Sequence, residues 1–325
     1  MERRELGASG VAVTRVALGG APLGGLFAPV SEEQARATVD AAWQAGVRTF
    51  DTAPHYGAGV SERRVGAALR GRPRAELVLC TKVGRLLVPA ASPRPARGMF
   101  AAEPPVERVF DFSRDGVRRS LAESLERFGL DRVDVVHVHD PDQHMEQAIG
   151  EALPALVELR EQGAIGAVGA GMNDAAPLVR IVREADVDCV LVAGRHTLLD
   201  QSADAELLPL CRARGIAVIA GGVFNSGVLV DPRPGATFDY EPAPAATLER
   251  ARAIAAVCAR HGVALATAAT AFALRHPAVT CLLVGARSPA EIAADVEAAS
   301  YPVPEELWHD LVSERLLSEE ATAPA

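Results

Sequence analysis

The chain of 325 residues contains no apolar run approaching the roughly 18 residues a membrane-spanning helix requires. Its N-terminal stretch, MERRELGASG, carries charges but no apolar h-region, so no secretory signal is expected. The five cysteines (Cys80, Cys189, Cys211, Cys258 and Cys281) include no C-x-x-C pair, which argues against a disulfide or zinc framework and for reduced thiols in the cytoplasm. Excess positive charge is absent too. With 33 Lys and Arg against 42 Asp and Glu the net charge is −9, so neither a nucleic acid nor a membrane is the expected partner. No G-x-G-x-x-G follows the first strand-like segment, and no linker divides the chain. These absences leave a soluble, cytoplasmic protein with one domain over residues 1–325, and 49% hydrophobic residues to fill its core.

What is present is alternation. After a hairpin over Arg3 to Val16, eight apolar strands are expected at Val16–Leu18, Thr49–Asp51, Leu77–Lys82, Val133–His137, Ile165–Gly169, Cys189–Val192, Ala217–Ala220 and Val279–Val284, each followed by helical periodicity. The strands are apolar throughout rather than alternating, as strands buried on both faces are. Eight such units predict an α/β fold, a (β/α)8 TIM barrel with an N-terminal β-hairpin and an extra C-terminal helix at Pro304–Leu317. An open doubly wound sheet is the competing architecture. Two long connections, Gly84 to Phe112 and Val223 to Pro244, are expected over the C-terminal mouth, with Arg85, Arg94, Arg97 and Arg108 of the first solvated.

In a barrel the residues ending the strands converge on one mouth. The stretch Gly46 to Gly66, GVRTFDTAPHYGAGVSERRVG, supplies Asp51 at a strand end and Tyr56 in the loop beyond, with Ser61 suited to cap the next helix. Lys82 ends the third strand and His139-Asp140 follow the fourth. A tyrosine at its ordinary value of about 10 is a poor base at neutral pH. An ammonium about 4 Å away contributes roughly 4 kcal/mol at an effective dielectric near 20, or about three pKa units. Tyr56 then suits proton transfer with a carbonyl or an alcohol, Asp51 keeps Lys82 charged, and His139 orients the oxygen. Taken singly, Lys82 reads as a rim lysine paired with Asp51 and His139 as a core histidine; four compatible groups at three successive strand ends read as a site.

These residues carry a resemblance. FDTAPHYGAGVSERRVGAAL, then LVLCTKVG, then DVVHVHDPD, resembles the aldo-keto reductase superfamily from Leu6 to the helix after Pro289. The resemblance implies a catalytic tetrad at Asp51, Tyr56, Lys82 and His139. LGGAPLGGLF, GAGMND and LVAGRHTLLDQ are most similar to the aldose 1-dehydrogenase branch (L-fucose and D-threo-aldose dehydrogenases) and to pyridoxal 4-dehydrogenases. That branch implies oxidation of a sugar lactol to a lactone, with pyridoxal or a simple aldehyde or ketone as the alternative substrate.

The resemblance also implies a nicotinamide cofactor lying across the mouth. Gly20 and Ala21 would let a flat ring approach the backbone, Asn173 would hold the carboxamide, and His196 stands where an aromatic stacks under the ring. Gly222, Phe224, Asn225, Ser226 and Gly227 align with the pyrophosphate segment, and Gly285, Arg287, Ser288, Glu291 and Asp295 with the adenosine end. Asp295 replaces the family's usual asparagine and, with Glu291, adds negative charge beside a 2′-phosphate, so the expected cofactor is NAD(P), leaning NAD. Two rivals use other residues or none. A metal-dependent hydrolase would draw on His137, His139 and nearby Asp51, His55 or Asp140, and a cofactor-binding sensor would not turn over.

Overall fold

The computed structural model describes residues 1–90, 99–101 and 103–318. Eight parallel strands close into a barrel: β1 (Val16–Gly19), β2 (Thr49–Asp51), β3 (Val78–Val83), β4 (Val135–His139), β5 (Ala167–Met172), β6 (Cys189–Ala193), β7 (Ala217–Gly221) and β8 (Val279–Gly285). Each pairs with its neighbours in sequence, and β8 returns to β1 with Gly285 opposite Gly19. The expected (β/α)8 barrel is therefore the observed one.

The antiparallel hairpin Arg3–Glu5/Ala12–Thr14 closes the N-terminal end. Its Leu6 and Val13 are fully buried and cluster with the first residues of the strands, including Val78, Val135, Ala167 and Cys189. The C-terminal mouth is left for polar side chains. Helices surround the barrel, three of them started by serines: Ser31, Ser113 and Ser288 each accept a hydrogen bond from the amide three residues on. The extra helix is Glu305–Ser313, whose buried Trp308 lies 6.3 Å from Phe272. No single helix among the described residues is long and apolar enough to cross a membrane.

Several local expectations are corrected. β4 and β5 begin two residues later than expected. Asp134 spends its carboxylate on Leu79 N at 2.7 Å and Arg74 at 2.8 Å, and its carbonyl on Gly166 N and Ala167 N, so the ladder starts after it. Ser61 is not a cap. The helix Val60–Leu69 starts from Gly59 without a side-chain cap, while buried Ser61 donates to Gly20 O at 2.6 Å and accepts from Thr52 Oγ1. The helical stretch after β4 contains a wide π turn at Ala148–Ala152 just before Pro154, which spares the proline ring a clash with the preceding turn. The two long connections, too long to be bare connectors, each carry an antiparallel pair. Gly84 to Phe112 carries the hairpin Arg85–Pro89/Val106–Phe110, and Val223 to Pro244 the short pair Thr237–Phe238/Glu241–Pro242.

Candidate active site

Asp51 is the last residue of β2, His139 the last of β4, and Lys82 the last but one of β3, so the barrel brings all three to one mouth. Sequence reasoning left His139 beyond its strand; the structure puts it inside, on the same face as His137. Tyr56 arrives from the turn after β2, which is fixed by Tyr56 N donating to Ala53 O and Ser61 N to Tyr56 O. Lys82, the only lysine in the chain, donates to Asp51 Oδ1 at 2.5 Å and to Thr52 O at 3.0 Å. Its Nζ sits 4.8 Å from the centre of the Tyr56 ring, and the rings of Tyr56 and His139 meet edge to face at 5.8 Å.

Burial governs the electrostatics. It works to lower the Lys82 amine, yet Asp51 and Tyr56 beside it hold that amine above its ordinary value, so Lys82 stays an ammonium. Burial lifts the Tyr56 phenol above its ordinary value, and the opposing pull of Lys82 does not cancel the lift. The structure thus corrects the expectation of a lysine-lowered tyrosine: at neutral pH Tyr56 is a phenol. Burial, reinforced by Arg85 and Lys82, pushes His139 well below the usual histidine range. His55 is pushed down to about 3 by burial and the same cations together with Arg108. Both are neutral imidazoles at pH 7.

These groups open onto a cavity of about 270 Å³. His55, Asp140 and Arg85 give it a polar wall, and Leu26, Met99 and Phe100 an apolar one. Phe100 is docked by backbone pairing: Leu26 bridges to it, Phe27 N donates to Met99 O at 2.7 Å, and Ala101 N to Gly25 O at 2.9 Å. Two of the arginines expected in solvent are not there. Arg85 is 13% exposed and pairs with Asp140 at 2.5 Å, while Arg108 pairs with Glu103 and donates to His55 O. Arg94 and Arg97 lie outside the described residues. The strand-end rule named Asp140 beside His139 but read Arg85, two residues past β3, only as a solvated arginine of the long connection. Nothing in the sequence pointed to Tyr240, which reaches the same cavity from the second hairpin.

The cofactor expectations divide. Ala21 and Asn173 line the cavity, Asn173 exposed directly after β5. Gly20 does not offer a bare face to a ring, because a Cβ there would stand 2.5 Å from Ser61 Oγ; its smallness serves the protein's own packing. His196 is a correction. Gly194, with φ 74, turns the chain after β6, and the His196 ring ends 3% exposed, 2.6 Å from Asp204 and 5.0 Å from Phe272, away from the cavity lining. In the turn after Gly222, the Asn225 side chain is buried and donates to Gly194 O, Ser226 Oγ accepts from Tyr240 N, and Phe224 packs into the core. Only the backbone of that turn, left-handed at Asn225, Ser226 and Gly227, remains to meet a ligand. Gly285, Arg287, Ser288, Glu291 and Asp295 gather where β8 meets the helix Pro289–Ser300. There Ser288 caps, and Glu291 accepts from the Arg287 amide at 2.8 Å and from its guanidinium at 3.2 Å. Among the described residues no group of three or more His, Cys, Asp or Glu side chains is placed to hold a metal ion.

The closed parallel barrel, with a phenol, an ammonium and an imidazole converging at its C-terminal mouth, has the architecture of a barrel enzyme. The chain belongs to the Aldo/keto reductase family, whose model matches residues 15–313. It is 42% identical to a D-threo-aldose 1-dehydrogenase of a Pseudomonas species over 318 residues, 95% of this chain and 96% of that protein. It is 42% identical to a pyridoxal 4-dehydrogenase of Microbacterium luteolum over 337 residues, 98% of each. Among solved structures it is similar to the holo form of an aldo-keto reductase from Bacillus halodurans, with a TM-score of 0.77 and 22% identity over 99% of each chain, a likeness of fold.

Proposed function

We propose that the protein oxidises a sugar lactol to its lactone with NAD(P), using Asp51, Tyr56, Lys82 and His139. The observation that carries this is a buried phenol beside an Asp51-held ammonium on the wall of a cavity large enough for one sugar ring. A nicotinamide held beside Asn173, Gly171 and Ala193 would supply the hydride acceptor for the anomeric carbon. Tyr56 Oη takes the anomeric hydroxyl proton during oxidation and gives it back to a carbonyl during reduction. Lys82 stabilises the phenolate, Asp51 keeps Lys82 charged, and neutral His139 hydrogen-bonds the reacting oxygen.

The residues fit the cofactor at its nicotinamide end. Asn173 presents an exposed amide that makes no hydrogen bond among the described residues, and Gly171 and Ala193 leave room for a flat ring. The turn Gly222 to Gly227 would meet the pyrophosphate through its backbone. At the adenosine end the reading leans to NAD. Arg287 is already engaged by Glu291, and burial with the nearby Glu291 charge raises Asp295 to about 7, so a 2′-phosphate would compete with one carboxylate beside another. The five free, buried cysteines support a cytoplasmic setting.

The test is a screen for NAD(P)H formation with L-fucose, D-arabinose, L-galactose and pyridoxal, run beside Tyr56→Phe. Lactol oxidation lost in the variant supports the reading, and unchanged activity sinks the mechanism. Pyridoxal as the sole substrate would favour the second reading, which the equal identity to a pyridoxal 4-dehydrogenase keeps open.

A further inference from the structure

One charged pair on the cavity wall has no part in the proton transfer. Arg85 and Asp140 meet at 2.5 Å with their side chains 13% and 18% exposed, and both line the cavity. Neither sits there at ease. Asp140 holds a left-handed backbone, φ 42, with its amide donating to Gly171 O at 3.0 Å. Arg85 follows Gly84, whose φ of 103 only glycine adopts freely. The pair is also incomplete: its one hydrogen bond runs from Arg85 Nη2 to Asp140 Oδ2, and Arg85 Nη1 and Asp140 Oδ1 have no partner among the described residues and are not sealed from solvent. Burying charges and leaving a donor unpaired is expensive for stability alone. A ligand that completes the set removes that cost.

We propose that the Arg85–Asp140 pair determines substrate specificity by binding the ring hydroxyls of a polyhydroxylated lactol, a deepening of the lactol reading that rests on it. A carboxylate or ammonium on the ligand would attract one partner of the pair and repel the other, pulling the two apart. A hydroxyl both donates and accepts, so it satisfies Asp140 and Arg85 together without separating them. Phe100, on the apolar wall, offers a surface for the C–H face of a pyranose, while the polar wall takes its hydroxyl edge. Asp140 Oδ2 also lies 3.5 Å from His139 Nε2, so hydroxyls held by the pair fix the ring relative to the reacting oxygen.

The experiment compares a pyranose that the wild type oxidises with tetrahydropyran-2-ol, a lactol without other hydroxyls. Asp140→Asn is chosen because asparagine tolerates the left-handed backbone, and Arg85→Met because it keeps length and removes the donors. Each variant should lose kcat/KM for the pyranose about thirtyfold more than for tetrahydropyran-2-ol, mostly through KM. Where tetrahydropyran-2-ol is not turned over, its inhibition constant is the comparison. Equal losses on both ligands, or no loss on the pyranose, overturn the inference while leaving the lactol reading intact. A wild type that oxidises no pyranose overturns the lactol reading and this inference with it.

Discussion

At the scale of single residues, the proposed chemistry rests on a buried phenol, Tyr56, beside a buried amine, Lys82. Because burial holds Tyr56 above its ordinary value, the phenol is the resting form, ready to donate in reduction but short of base for oxidation. The two directions should therefore separate with pH. Oxidation requires phenolate, so its kcat/KM should climb about tenfold per pH unit through the mildly alkaline range, while reduction stays flat near neutrality. An oxidation rate that levels off near pH 7 would contradict a raised tyrosine. Lys82 tests the same pair from the other side. Lys82→Met strands a buried Asp51, and denaturant unfolding should show a loss of about 3–5 kcal/mol along with the activity. Lys82→Met with Asp51→Asn should recover much of that stability and none of the turnover. The four residues were legible in the sequence because their types are unusual at strand ends that share a mouth. The direction of the tyrosine shift was not, since it depends on how far Phe100, His55 and His139 cover the ring.

Among the elements, the hairpin Arg85–Pro89/Val106–Phe110 does most to shape the site, and it is where sequence reasoning stopped. The Pro-, Gly- and Ala-rich run from Pro89 to Pro105 reads as a loop and hides the paired strands that flank it, which Gly84 starts at a φ of 103 and Phe112 closes. A Cβ on Gly84 would stand 2.1 Å from the Phe112 ring. Gly84→Ala should therefore cost more than about 1 kcal/mol in thermal denaturation and raise KM, because the hairpin carrying Arg85 must shift. A variant with wild-type stability and KM would show the hairpin to be free of that hinge. The displaced starts of β4 and β5 have a similar cause. Asp134 and Asp188 each give a carboxylate oxygen to the amide of an adjacent strand and to an arginine, and no hydropathy pattern records such bonds. His196 was placed by alignment with an aromatic, but the turn at Gly194 carries it outward.

The barrel itself was legible because eight two-sided apolar segments of similar spacing have few other ways to be buried. What the pattern hides is the polar layer the barrel encloses. Beneath Lys82, His137 is fully buried with neither ring nitrogen hydrogen-bonded, and burial with the Lys82 charge pushes it down to about 3. His139 above it is lowered too, by burial and the nearby Arg85 and Lys82 charges. Their folded values lie below the unfolded value of about 6.5, so between those limits the unfolded chain binds more protons. The stability that a neutral His137 allows is complete above about pH 6.5 and drains away as pH falls toward 3, by about 1.4 kcal/mol per pH unit, and His139 acts in the same direction. His137→Leu isolates one of them. An apolar side chain replaces a ring that makes no hydrogen bond, so stability at pH 7 should stay within about 1 kcal/mol of wild type. Urea unfolding at pH 6, 5 and 4 should then show a shallower acid decline, by that one proton, and an unaltered decline would mean that His137 does not titrate with unfolding.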